Sequence, residues 1–432
     1  MYFRGGWRRE AAVLAGLAAF VLVLAAPALV PGPLPETSAK NTFENTAEST
    51  PAPAPSAVPA AAAAATAAPA SSAQLAYRAV WVSYLEWQRM DFSSAEAFGA
   101  EAAAMLDNIA GLGANVVLAQ VRPFGDALYP SALYPFSHLA TGTQGEDPGF
   151  DPLAYMVAAT HAAGLSFQAW VNPLRVQLNG LPPSLSDLNP WNVFRADEKR
   201  RSWAVEYGGN KYLDPGFSGV RDYITAGVRE IVEHYDVDGV QFDDYFYPTE
   251  DAAFDAASYA EYQKNAGGDA LPLDEWRCEN INALLKSVYA AIKAANPAVQ
   301  FGVSPQGNLT NDYKMGADVA VWVQNPGYLD YICPQLYYNY DNPTLPFASA
   351  VQTWRDLVTQ PQVRLYFGLA LYKANTSADS GSWLSGTDTL ARQVKTGREA
   401  GCDGFLIYAY PDLLDETKRA EIENLKAALS EG

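Results

Sequence analysis

Asp243 and Asp244 stand side by side at the end of the apolar run "VDGVQF" and lead directly into Tyr245, Phe246 and Tyr247. Adjacent carboxylates repel each other, and such a pair points to acid–base chemistry. Other chemistries have little to work with. The three histidines, His138, His161 and His234, are scattered, which disfavours both a Ser-His-Asp relay and a histidine metal site. Cys278, Cys333 and Cys402 are odd in number and widely spaced, so they read as small buried hydrophobes rather than as a disulfide framework or zinc site. No metal and no cofactor is expected, and carboxylates must carry the reaction.

The elements that position the doublet follow from the hydrophobic pattern. Eight short apolar runs occupy residues 78–87, 115–123, 165–173, 237–248, 300–308, 328–338, 364–373 and 404–413. Near-continuous apolar runs are what a parallel sheet covered on both faces requires. Between them lie helix-period stretches at 94–112, 152–163, 218–235, 274–295, 317–324, 347–358, 390–400 and 415–429. Eight βα units predict an α/β fold, a (β/α)8 TIM barrel with long insertions after strands three and four, at 174–216 and 245–273. An open doubly wound sheet is the rival, but no glycine-rich phosphate loop follows the first strand.

Polar side chains gather where each run ends, and in a barrel those ends share one mouth. The first four runs contribute Glu86; Gln120 and Arg122; Trp170, Asn172 and Arg175; and the doublet. The last four contribute Ser304 and Asn308; Gln335, Tyr337 and Tyr338; Lys373; and Tyr408 with Asp412. The two insertions follow the same face and are expected to wall a groove suited to an extended polymer.

The chain has 432 residues, 49% hydrophobic and 18% charged, enough for a large core. Its net charge of −19 argues against nucleic acid as a partner, because phosphate binding needs a basic footprint. Ten tryptophans and 25 tyrosines suit stacking on sugar faces as well as ordinary packing. Arg4, Arg8 and Arg9 precede an uncharged run at 11–30, roughly the 20 residues that span a bilayer. A membrane anchor is expected there, with a signal peptide cleaved near Ala26-Pro27-Ala28 as the alternative. Either places the body outside the cytoplasm. Residues 31–75, rich in Pro, Ala, Ser and Thr, are expected to form a disordered linker, and 76–432 the folded domain.

Several segments, in order, carry a family pattern: "QVRPFGDALYPS", "FDPLAYM", "QAWVNPLR", "YLDPG", "VDGVQFDDYFYP", "FGVSPQG", "LDYICPQLYY" and "LYFGLALYK". Together they resemble the glycosyl-hydrolase-like family ten proteins, also called the domain-of-unknown-function 187 group, from Arg78 to about Asp412. The resemblance implies an extracytoplasmic (β/α)8 glycoside hydrolase. Its best-understood member type cuts peptidoglycan glycan strands stripped of their peptides. Many members are lipoproteins, whereas this chain has no lipobox cysteine.

Glycoside hydrolysis usually takes two carboxyls, one to protonate the leaving oxygen and one as base or nucleophile across the ring. Neighbouring strand residues point to opposite faces. Counting back in twos from Asp243 gives Gln241 and Gly239, residues that an interior accepts, so Asp243 is expected to face the sugar. Asp244 is then expected to brace the wall, bonding Arg122, Arg277 or Asn280. The pattern "DGVQFDDY" echoes the chitinase D-G-x-D-x-D-x-E motif, but Gln241 and Tyr245 replace acids, so that mechanism does not transfer. Glu86, Asp126, Asp214 and Asp412 remain candidates for the second acid; the resemblance favours Glu86, the position where the family keeps an acid. Asp126 and Asp412 also read as turn or helix caps, and Asp214 as an N-cap or a substrate-binding residue. Sugar-stacking walls are expected from Trp170, Tyr245, Tyr247, Trp276, Tyr337 and Tyr338. Arg122, Asn172, Arg175, Arg277, Asn280, Gln335 and Lys373 are expected to bind substrate or shape its groove. The functional expectation is hydrolysis of a polysaccharide, with a non-catalytic glycan-binding barrel, or a hydrolase of a different extracellular polysaccharide, as alternatives.

Overall fold

The computed structural model describes residues 77–431, and these form a closed eight-stranded parallel barrel. In chain order the strands are β1 (Tyr77–Val82), β2 (Val116–Arg122), β3 (Ser166–Val171), β4 (Arg175–Gln177), β5 (Ala204–Tyr207), β6 (Asn210–Leu213), β7 (Gly239–Phe242), β8 (Gln300–Val303), β9 (Tyr331–Ile332), β10 (Arg364–Ala370) and β11 (Gly404–Tyr408). The barrel runs β1-β11-β10-β9-β8-β7-β3-β2. β4, β6 and β5 form a separate antiparallel sheet within the insertion after β3. That small sheet was not expected, because its strands of three or four residues are too short to show a period. The insertion after β7 holds the helix Ala256–Ala266.

Helices fall where the periodicity places them. In Ala95–Gly111 the side chains of Phe98, Ala102, Met105, Leu106 and Ile109 recur every three or four residues and are buried, while Ser94 caps the first turn by accepting from the Ala97 N–H. Asp151 caps Pro152–Ala162 in the same way, and the proline at the helix start has no N–H to leave unpaired.

Barrel strands alternate between two packing environments. Val80, Val117, Phe167, Val240, Phe301 and Phe367 face the helical layer, whereas Ala79, Trp81, Leu118, Trp170, Tyr331, Tyr366 and Leu406 fill the interior. The large interior rings require small neighbours. A Cβ on Gly302 would lie 2.0 Å from the Tyr331 ring, and one on Gly404 would lie 2.2 Å from the Tyr77 carbonyl oxygen. Gly302→Ala is therefore expected to cost about 1–3 kcal/mol of stability by overpacking, read as a lowered denaturant midpoint. An unchanged midpoint would show that the Tyr331 ring has room to move.

A chain of polar groups crosses this interior. Trp81 Nε1 donates to Gln241 Oε1 (2.8 Å), Gln241 Nε2 to the Tyr331 hydroxyl (3.1 Å), that hydroxyl to Gln168 Oε1 (2.6 Å), and Gln168 Nε2 to Gln300 Oε1 (3.3 Å). Gln241 thus faces inward, and Asp243 lies two residues beyond it.

Among the described residues no helix is long and apolar enough to cross a membrane. The run at 11–30, on which membrane anchoring was expected, and the linker at 31–75 lie outside the described residues. The expectation of a membrane-anchored chain with a membrane partner is accordingly corrected: nothing described in the fold supports it.

Candidate active site

Past Phe242 the chain leaves β7, and strand alternation ceases to govern its side chains. Asp243 is buried, 3% exposed, and is surrounded by N–H donors. Trp170 Nε1 reaches its Oδ2 at 3.0 Å, Asn172 Nδ2 reaches both oxygens at 3.0 and 3.2 Å, and the Tyr245 backbone N–H reaches Oδ1 at 3.3 Å. Asn172 in turn accepts from the Arg175 backbone N–H at 3.2 Å, so the turn after β3 is built around the same carboxylate.

Asp244 is half-buried and bonds none of the partners expected for it. Its Oδ1 accepts from Gln335 Nε2 at 3.0 Å. The expectation that Asp244 braces the wall through Arg122, Arg277 or Asn280 is corrected by this geometry. Both carboxyls remain at the mouth, within reach of the Arg175 charge. Burial raises both above the ordinary aspartate range, and for Asp243 the neighbouring Asp244 charge raises it further. They titrate as a pair.

Aromatic rings surround the doublet. Tyr245 is 43% exposed, and its ring centroid lies 5.2 Å from the Arg175 guanidinium carbon; the same guanidinium lies 5.7 Å from the Tyr84 ring. Tyr408 lies 5.8 Å from Tyr337, 5.9 Å from Tyr372 and 6.0 Å from Trp81, centroid to centroid. Tyr84 and Tyr372 were not singled out from the sequence, because a tyrosine just past a strand carries no local signal of which way it turns.

Glu86 is close to this ring but already engaged. Its carboxylate accepts from the Ser83 backbone N–H at 2.5 Å, completing a capping box on the short helix Tyr84–Trp87, and burial raises its titration range. The motif Ser83-x-x-Glu86 was the sequence signal for this role. Asp126 is fully buried against His138 (3.3 Å) and Gln144 (2.9 Å), and Asp412 caps Ala409 and pairs with Lys418. Asp214 accepts from Ser258 Oγ (2.6 Å) and the Gly216 N–H (2.8 Å), with burial pushing it up to about 7. It closes a turn rather than lining the mouth.

Several expected substrate-binding residues belong to the scaffold. Between Gln120 and Arg122 the pairing of β2 with β3 shifts register, so Arg122 pairs with the outward-facing Val171. Its guanidinium lies over Tyr134, 4.4 Å from the centroid, beneath the helix Ser218–His234. Arg277 forms a two-pronged ion pair with Asp255, at 2.7 Å on each prong. Asn280 bridges the Tyr247 hydroxyl and Arg221, leaving Tyr247 fully buried. Trp276 packs on Tyr259 and Tyr262 in the second insertion. Lys373 donates to the Tyr337 carbonyl (2.6 Å) and pairs with Asp379 (3.2 Å), holding the loop that presents the Tyr337 ring. Tyr338 is half-buried and lies against Gly307, with its carbonyl bonded by Gln393. Among the described residues no group of His, Cys, Asp and Glu is arranged to hold a metal ion.

The glycosyl hydrolase-like 10 family model matches residues 76–385. The chain belongs to that family. Curated relatives include the glycosyl hydrolase YngK of Bacillus subtilis, 37% identical over 344 residues, which covers 74% of this chain and 65% of the relative. The glycosyl hydrolase DigH of Escherichia coli K12 is 39% identical over 290 residues, covering 62% of this chain and 64% of DigH. This chain thus spans slightly less than two thirds of the family relatives it matches. In fold it is similar to the glycoside hydrolase domain of PgaB (BpsB) from Bordetella bronchiseptica, with a TM-score of 0.55 at 15% identity over 83% of this chain and 99% of that domain.

Proposed function

We propose that this protein is a glycoside hydrolase whose working carboxyls are Asp243 and Asp244. The observation that carries this reading is the carboxyl doublet at the barrel mouth, Asp243 held by Trp170, Asn172 and the Tyr245 N–H and Asp244 by Gln335, with tyrosines around it. Membership of a glycosyl hydrolase-like family and likeness to glycoside hydrolase barrels support it. Burial raises both carboxyls, so the pair holds a proton more readily than an exposed aspartate. Four N–H contacts from three groups suit Asp243 as the charged partner, which stabilises positive charge developing on the sugar ring. Asp244, more accessible and bonded through the Gln335 side-chain amide, delivers its proton to the leaving oxygen as the glycosidic C–O bond breaks; water then adds to the anomeric carbon, and the proton it loses returns to the doublet.

The substrate we propose is the glycan strand of peptidoglycan lacking stem peptides, outside the cytoplasm. Exposed Tyr245 beside Arg175 offers a stacking face next to a cation, suited to a ring bearing amide and carboxylate substituents. Purified protein incubated with amidase-treated peptidoglycan is expected to release short saccharides, and to release far less from peptidoglycan that keeps its peptides. Binding without release would favour a non-catalytic glycan receptor. Release from another polysaccharide but not from denuded glycan would move the substrate and leave the chemistry intact.

A further inference from the structure

Three consecutive residues past β9 have their backbone held by side chains. β9 is only two residues long, and beyond it Gln335 and Leu336 stay on the barrel through backbone bonds, the Gln335 N–H to the Pro305 carbonyl (2.9 Å) and the Leu336 N–H to the Gly368 carbonyl (3.0 Å). From Tyr337 onward side chains take over. The Tyr337 carbonyl accepts from Lys373 Nζ at 2.6 Å, the Tyr338 carbonyl accepts from Gln393 Nε2 at 2.8 Å, and the Asn339 N–H donates to Asp379 Oδ2 at 3.1 Å. Tyr337 therefore presents its ring, 5.8 Å from both Tyr372 and Tyr408, from a segment that no strand ladder fixes.

Asp379 stands at the centre of these contacts. Its Oδ2 accepts from the Asn339 N–H and from Trp383 Nε1 (2.9 Å), and its Oδ1 accepts from Lys373 Nζ (3.2 Å), the same cation that holds the Tyr337 carbonyl. The Lys373 and Asp379 side chains are 12% and 11% exposed. Asp379, Ser380 and Gly381 all have left-handed backbone, with φ of 49°, 60° and 85°. Outside glycine such a conformation persists where surrounding contacts over-determine it, and here the contacts converge on one carboxylate.

We infer that Asp379 is a positioning residue of this site: it anchors the segment Tyr337–Asn339 twice, directly at Asn339 and through Lys373 at Tyr337, and so sets where the Tyr337 ring meets a sugar. The inference rests on the reading of the mouth as a glycan site and adds to it a determinant of affinity. The doublet is anchored separately, because Gln335, the partner of Asp244, is tied to the Ser304 carbonyl by its Nε2 (3.1 Å) and to the Pro305 carbonyl by its backbone N–H. Loss of Asp379 should then weaken binding of substrate and transition state alike, which raises KM and spares kcat.

The test uses the full chain and two readouts, hydrogen exchange at residues 337–339 without glycan and kinetics on denuded glycan. Asp379→Gly removes the carboxylate and tolerates the left-handed backbone. It is expected to speed exchange of the Asn339 amide about tenfold and to raise KM about tenfold, the size of one hydrogen bond to a charged group, with kcat within about twofold. Asp379→Asn keeps an acceptor for the Asn339 N–H but loses the ion pair, so its KM is expected to rise about threefold at most. Lys373→Met frees only the Tyr337 carbonyl and should match the asparagine variant; an unchanged KM there overturns the inference even if Asp379→Gly does not fold. Unchanged exchange in Asp379→Gly, equal KM in the two Asp379 variants, or a fall in kcat at constant KM would overturn it as well. Exchange is read without substrate, so faster exchange in a protein that cleaves no glycan sinks the proposed function and leaves the anchoring of Tyr337 standing.

Discussion

Asp243→Asn is expected to lower kcat on denuded glycan by about a thousandfold while leaving glycan binding within a few fold, measured by saccharide release and by equilibrium binding. Asp244→Asn should do the same, and the double variant should lose little more than either single one, because the two act as a unit. Unchanged turnover in Asp243→Asn would remove the assignment. The same substitution carries an opposite effect on stability. Burial raises the folded-state titration of Asp243 above its unfolded value. Its contribution to stability is therefore complete below pH about 4, the unfolded value, and is lost as the pH rises through the folded one. Asparagine has no charge to bury, so Asp243→Asn should be more stable than the natural protein at pH 8, by an amount on the order of 1–3 kcal/mol, with the difference vanishing near pH 4. A chemical denaturation series across that range reads both limits, and a destabilised variant at pH 8 would mean that the lost acceptor outweighs the buried charge.

The largest loss of stability is expected at a residue whose sequence position suggested substrate binding. Arg277 enters the interior of the second insertion, where it meets Asp255 and the carbonyls of Thr249 (3.0 Å) and Asp251 (2.9 Å). The ion pair is 4% and 0% exposed at its two side chains. Removing one partner leaves the other charge buried alone, so Arg277→Met is expected to cost about 3–5 kcal/mol. Arg277→Lys should recover only part of this, since an ammonium cannot form the two-pronged contact. The double variant Arg277→Met with Asp255→Leu should be less destabilised than Arg277→Met alone, because no charge is left behind. Residual folded Arg277→Lys should keep the natural KM. A raised KM with unchanged stability would return Arg277 to the substrate groove.

The contrast between these two residues marks what was legible in the sequence. Barrel strands and their helices were readable because each is a continuous apolar run or an amphipathic stretch with a defined cap, and both signals are local. Asp243 follows the inward-facing Gln241 by two residues although β7 ends at Phe242, and there it meets the inward-facing Trp170. Asp244 was misplaced because alternation was extended two residues beyond the strand, into a turn organised by Asn172 and Gln335. Arg122 was misplaced because a register shift after Gln120 turned it toward the helices, and no residue type in "QVRP" announces that shift. Glu86, the candidate the resemblance favours, also carries a locally written role, the capping box Ser83-x-x-Glu86.

The polar chain across the barrel interior bears on how the site exchanges protons. Indole nitrogen only donates, so Trp81 fixes the direction of every bond after it, through Gln241 and Tyr331 to Gln168 and Gln300. Reversing the Gln241 amide would set its Nε2 against the Trp81 indole N–H, two buried donors face to face. The Tyr331 hydroxyl is held far from ionisation by burial, and the groups that touch Asp243 are indole, amide and backbone N–H donors, none of which accepts a proton. The floor therefore behaves as a proton insulator beneath the doublet. Under the proposed function the doublet is then recharged from the solvent side, by the water that enters as product leaves, which ties proton return to product departure.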